Sequence, residues 1–154
     1  MTAADSPLAK DFALIASPEG VQATLADIRT FLCASDLCEG ACGSVEIVLA
    51  EALNNVAEHA YGLTGAGDVL VKIALLDRTI RIHIVDKGAP MPGLRPPAGR
   101  PPALDGPCDT LPEGGFGWFL IRSLTEGFSY TRAGGRNHLR LCLDHATSAK
   151  NMTS

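Results

Sequence analysis

The chain has 154 residues, 46% hydrophobic and 19% charged, with a formal net charge of −4, which is enough for one domain with a buried core. No run of lysines or arginines occurs, excluding a protein whose grip on nucleic acid or an anionic membrane depends on such a run. No basic segment followed by an apolar one opens the chain, and nothing approaches the roughly 18 apolar residues of a spanning helix, so a cytoplasmic protein without direct nucleic-acid or membrane contact is expected.

A strand is expected near Asp11 to Ile15. Ser17-Pro18 then pairs a capping hydroxyl with a proline at the first helical position, opening a helix to about Cys33 or Ser35. A second helix should run from about Ala41 to Tyr61 and stop at Gly62. The five cysteines include Cys33, Cys38 and Cys42 near this junction. An odd count without an export signal reads as reduced thiols, and the absence of a CxxC pair argues against a closed zinc site.

"GDVLVKIALL" (67–76) alternates, with Val69, Val71, Ile73 and Leu75 on one side. Asp77-Arg78 turns it into "TIRIHIVD" (79–86), where Ile80, Ile82 and Ile84 share a face. Periodicity then stops: from Pro90 to Pro112 the chain holds eight of its ten prolines. So long a loop within a compact domain is usually functional or mobile. A short helix, "GFGWFLIRSL", follows, ending before Gly127, and two strands, "FSYTR" and "RNHLRLCL", are joined through Ala133-Gly134-Gly135. The expected organisation is an N-terminal tail (1–8), one domain (9–144) and a C-terminal tail (145–154). Short turns between strands imply an α/β two-layer sandwich, a mainly antiparallel mixed sheet with helices on one face.

Three places carry chemistry. On the second helix, taking Val45 as the origin, the apolar stripe centres near 20–80°, while Glu51, Asn55 and His59 fall at about 240°, 280° and 320°. The polar row thus borders the core, and Asn54 and Glu58 lie farther out. Such a row is either satisfied by ordinary hydrogen bonds or lines a binding site, and the helix alone leaves both open. Asp86 shares parity with the isoleucines and should point at the helix-covered face. It suits an Asx-turn or the capture of an exocyclic amine, with Gly88 permitting close approach. Finally, "EGGFGWFLI" places Gly114, Gly115 and Gly117 at a helix start, where free N–H groups can cradle phosphate or the chain can hinge. It is neither a P-loop nor a dinucleotide fingerprint.

In this order, "E-x-x-x-N-x-x-x-H-A-Y" from Glu51, "D-x-G-x-P" from Asp86 and "G-G-x-G-x-x-L-I" from Gly114 resemble the N, G1 and G2 boxes of the GHKL ATPases. The chain is similar to the anti-sigma-factor serine kinases of that superfamily, from its first strand to "GGRNHLRLCL". The resemblance implies a histidine-kinase-like (Bergerat) fold binding ATP and Mg²⁺. Asn55 would hold the metal, and Glu51 would orient or deprotonate a serine hydroxyl. Asp86 would take the adenine amine with room at Gly88, while Gly114, Gly115 and Gly117 would offer N–H groups to the phosphates. Asn137, which shares parity with Leu139, Leu141 and Leu143, would add a water-mediated contact near the base. Residues of about 87–114 would form the ATP lid, carrying Arg95 and Arg100, and His59 would give structural support. The implied partners are a STAS-type anti-sigma-factor antagonist, which is phosphorylated, and a sigma factor, which is sequestered; a homodimer is also implied. Two alternatives stay open: a nucleotide-switched binding module without kinase activity, and a histidine-kinase catalytic domain. The latter is disfavoured because no phosphoacceptor helix pair precedes the N-box residues.

Overall fold

A computed structural model of the chain describes residues 8–62, 67–97 and 115–144. Its elements are β1 (Leu8–Ile15), α1 (Pro18–Cys33), α2 (Glu39–Asn55) continued by a π-helical turn (Val56–Ala60), β2 (Asp68–Leu75), β3 (Thr79–Asp86), α3 (Gly115–Leu124), β4 (Gly127–Ala133) and β5 (Arg136–Asp144). The five strands form one sheet in the order β1-β2-β3-β5-β4. All four pairings are antiparallel, so among the described strands the sheet is not mixed.

The alternation read from the sequence sets the layers. Val69, Val71, Ile73 and Leu75 on β2, Ile80, Ile82 and Ile84 on β3, and Leu139, Leu141 and Leu143 on β5 are all buried. They share one core with Ile28 and Leu32 of α1, Val45, Val48, Leu49 and Leu53 of α2, and Trp118 and Ile121 of α3. Fully burying one such side chain is worth about 1.5–3 kcal/mol. The helices therefore lie on one face, as expected.

Two boundaries differ from those expected. β1 starts at Leu8 because its first half pairs with β2 through the backbone, Leu8 opposite Leu75, while its side chains stay exposed and leave no periodic trace. α2 starts at Glu39 because Cys38 caps it, its Sγ accepting from the Ala41 N–H at 3.4 Å. Cysteine is not among the usual capping residues.

The π turn is the larger departure. The Tyr61 N–H reaches back five residues to the Val56 carbonyl at 3.2 Å. Each residue in this turn advances less around the axis than in an α-helix. His59 consequently leaves the row of Glu51 and Asn55 for solvent, 3.7 Å from Glu58, with 64% of its side chain exposed. It gives no packing support to the core. Asn54 and Glu58 are exposed, and Gly62, at φ +73°, ends the helix.

No described element covers the sheet face opposite the helices. There His83 of β3 and His138 of β5 stack, with ring centroids 5.2 Å apart, and share a 3.0 Å hydrogen bond between Nε2 and Nδ1. Burial, then Arg140, His138 and Lys72, pushes the His83 pKa below its ordinary value. The unfolded chain accepts this proton more readily, so the contribution of neutral His83 is fully present above about pH 6.5 and is lost as pH falls. Thermal melts from pH 8 to pH 5 should show Tm declining on the acid side, with a shallower decline in His83→Gln; equal slopes would exclude His83 as the source.

Candidate functional site

The site is assembled along the second half of α2. Nearest its middle, Glu51 meets α3: a Cβ built on Gly117 would lie 2.5 Å from Glu51 Oε1. Gly117 therefore lets the first turn of α3 close onto this carboxylate, at the helix end where the backbone dipole favours negative charge. One turn on, Asn55 places its carboxamide nitrogen in a fully enclosed position with no hydrogen-bond partner, and no other side-chain atom among the described residues is in that condition. Leaving such a group unpaired costs about 1–3 kcal/mol. A carboxamide can exchange its oxygen and nitrogen by rotation, so the enclosed position can serve an acceptor as well as a donor.

Beyond the π turn, α2 meets the end of β3. The Ala60 carbonyl accepts the Ala89 N–H at 2.7 Å, and a Cβ on Gly88 would come within 2.4 Å of that same oxygen. The side of Gly88 on which a Cβ would stand is taken by Ala60. Gly88 is needed for the helix to reach the strand.

Asp86 is 5% exposed and faces the helix layer, as its parity required. Its Oδ1 accepts from the Gly88 N–H and from Asn137 Nδ2, both at 2.8 Å. The Asx-turn is thus present, and Oδ2 receives no hydrogen bond from the described residues. Asn137 stands directly across the ladder from Asp86 and is 4% exposed. Its second N–H goes to the Ala89 carbonyl at 2.9 Å. Its Oδ1 accepts from Arg132 Nη1 at 2.9 Å and from the Tyr130 hydroxyl. With two N–H groups and two lone pairs engaged, Asn137 has no group left for the water-mediated contact expected of it. It positions Asp86 from behind.

Tyr61, Tyr130, Arg122 and Arg132 complete the assembly and were not singled out in the sequence. The Tyr61 hydroxyl donates to the Asp68 carbonyl at 2.7 Å and accepts the Lys87 N–H at 2.8 Å, binding the end of α2 to β2 and β3. Burial raises its pKa despite the Lys87 hydrogen bond. The Tyr130 hydroxyl accepts the Met91 N–H at 2.9 Å, and Arg132 Nη1 donates to the Gly88 carbonyl at 2.6 Å. Arg122, over the Phe128 ring at 4.6 Å, donates to the Pro97 carbonyl. The first stretch of the expected lid, residues 87–97, is thereby fastened to β4 and α3. Only Tyr61 carried a signal, as the last residue of the quoted "H-A-Y".

Glu51, Asn55, Asp86, Gly88, Gly117 and Asn137 thus surround one end of α2 and its neighbours, although no hydrogen bond joins Asn55 to Asp86. Gly115 opens α3. Gly114, Arg100, Cys108 and lid residues 98–114 lie outside the described residues. Arg95 is exposed. Among the described residues no group of three or more His, Cys, Asp or Glu side chains could hold a metal, and Cys33, Cys38 and Cys42 form no disulfide.

Residues 14–143 match the histidine kinase-like ATPase domain family. The chain belongs to this family. Among curated relatives of this ATPase domain, the serine/threonine-protein kinase BtrW of Bordetella bronchiseptica is 37% identical over 94 residues, 59% of this chain and 62% of BtrW. The serine-protein kinase RsbW of Oceanobacillus iheyensis is 30% identical over 84 residues, 53% of this chain and 52% of RsbW. The matches therefore span less than two thirds of either relative. The fold resembles the solved structure of the RsbU and RsbW domains of a Mycobacterium tuberculosis protein, with a TM-score of 0.61 at 16% identity, covering 90% of this chain and 32% of that one. No described helix is long and apolar enough to cross a membrane.

The glycine contacts differ in what a side chain would strike. Gly88→Ala should lower stability by about 1–3 kcal/mol, the usual range for overpacking, because it meets the backbone of Ala60. Gly117→Ala meets the end of a flexible side chain and should cost less. Urea denaturation of both variants checks the order.

Proposed function

We propose that the protein is an ATP- and Mg²⁺-dependent serine kinase acting as an anti-sigma factor in the cytoplasm. It phosphorylates a STAS-type anti-sigma-factor antagonist, sequesters a sigma factor and works as a homodimer. The observation that carries this reading is the enclosed, partnerless carboxamide nitrogen of Asn55 one turn from the Glu51 carboxylate. The names of the two curated relatives support the reaction type.

The donor set suits the group. Mg²⁺ takes oxygen ligands, retains waters and commonly binds through one or two protein groups plus substrate phosphates, so Asn55 Oδ1 is a sufficient protein ligand. When bound, the ion supplies charge neutralisation on the phosphates. The rest falls to the chain. Glu51 is positioned against α3 to orient the serine hydroxyl of the partner and accept its proton. Asp86, fixed through Oδ1 by Gly88 and Asn137, keeps Oδ2 for the adenine amine. Gly114, Gly115 and Gly117 contribute backbone N–H groups toward the phosphates at the α3 terminus. The lid proposed over residues 87–114 starts from the stretch 87–97 that β4 and α3 hold.

Incubating the protein with labelled ATP, Mg²⁺ and STAS-type antagonists from the same genome should place label on serine. ATP binding without label on any of them would leave a nucleotide-switched binding module instead. Glu51→Gln should reduce transfer by about 10²–10⁴-fold, the usual weight of a general base, with ATP affinity retained. Asn55→Ala should weaken ATP binding in Mg²⁺ but not in EDTA, as read by calorimetry.

A further inference from the structure

The sheet face opposite the helices carries a second feature, independent of the nucleotide site. Cross-strand register arranges its side chains in ranks. One rank runs Asp11, Lys72, His83, Arg140 and Ser129, each directly opposite the next. The adjacent rank runs Ala9, Ala74, Arg81, Cys142 and Gly127. Apart from Arg81, this second rank is composed of small residues, and the difference in height leaves a trough of about 650 Å³ lined by both ranks. It crosses five strands, about 19 Å at the usual strand spacing.

Three cations stand in this trough. Lys72, Arg81 and Arg140 are exposed, and none makes an ion pair or side-chain hydrogen bond among the described residues. Register puts Arg81 diagonal to both of the others, about 7–8 Å away by Cα, a spacing at which long side chains interact and like charges repel. Asp11, opposite Lys72, is the one acidic group in the two ranks; outside them Glu126 meets Cys142, which stands directly opposite Arg81, and Asp144 lies diagonal to Arg81 on β5. The field is felt locally, since Arg140 and Lys72 both help to depress the His83 pKa. The rest of the chain is polarised the other way: residues 17–62, which hold α1 and α2, contain seven carboxylates against one arginine.

We propose that this trough docks an acidic polypeptide segment of a partner protein, which sets carboxylates against Lys72, Arg81 and Arg140 and lays its backbone over Ala9, Ala74 and Cys142. The occupant is polypeptide because the floor is long, flat and apolar, matching a chain's aliphatic surface. A nucleic acid would approach a molecule of net charge −4 with a strongly acidic helix layer, against its long-range field. Two copies meeting trough to trough would oppose three cations with three more.

The test uses the full ¹⁵N-labelled chain at low salt, with decaglutamate as probe, a neutral Gly/Ser decapeptide as control and a single-stranded decanucleotide as competing polyanion. Decaglutamate should shift the amides of residues 72–74, 81–83 and 140–142 and raise the His83 pKa toward its ordinary value. The Arg81→Gln/Arg140→Gln double variant should bind it about tenfold more weakly, the order expected for losing two exposed pairs, with an unchanged melting curve. Asp11→Asn should bind more tightly. The proposal is overturned if the shifts fall elsewhere or if the double variant binds equally well. It is also overturned if the oligonucleotide takes the trough as tightly as decaglutamate, or if the same amides shift with protein concentration alone, which would assign the face to a second copy.

Discussion

A carboxylate buried at the end of a strand must be paired, and Asp86 is paired by Asn137, its direct neighbour across β3 and β5. Breaking one member of such a network leaves groups unsatisfied at a cost of about 1–3 kcal/mol each. The pairing depends on the β3–β5 register, because a one-residue slip would turn both side chains to the opposite face. It also reaches outward. Through Asn137 the pair engages Tyr130 and Arg132 of β4, and through Gly88 and Ala89 it engages Ala60 of α2. The edge strand, the long helix and the start of the lid thus share one buried anchor.

Much of this architecture could be read in the sequence, and the reasons it could are local. Period-two apolar runs placed β2, β3 and β5 and their buried faces, including the inward Asp86. Ser17-Pro18 placed the start of α1, where the serine hydroxyl accepts the Gly20 N–H. What could not be read lacked a recognisable local signal. The opening of β1 is held by pairing with distant β2, and the cap of α2 uses a thiol. The π turn arises where α2 must meet Gly88 and Ala89, residues nearly thirty positions away.

The same division holds at the site. Glu51, Asn55, Asp86 and the glycines were marked by residue type and spacing, because each is out of place for its element: polar at a core edge, or Cβ-free in a helix. Their supports were not marked. Tyr130 and Arg132 are ordinary residues for an edge strand, and only the sheet register brings them to Asn137. Gly88 and Gly117 were read as ligand contacts, and their missing side chains also admit Ala60 and Glu51. Sequence identifies a glycine that needs space, and tertiary packing decides what fills it.

The π turn has a bearing on how this helix can vary. Single-turn widenings of this kind hold one residue more than the surrounding spiral and frequently occur at functional positions. Removing any residue from Val56 to Ala60 would let the spiral run evenly, a local gain in regularity. The residues past the cut would keep their orientation, because four evenly spaced α-helical residues cover nearly the same arc as the five π-helical ones, so the end of α2 would still face Ala89 and Lys87. A single deletion is therefore tolerated within the π turn, whereas one in the α-helical part of α2 would rotate everything past it by about 100° and break the fit between helix and strand end.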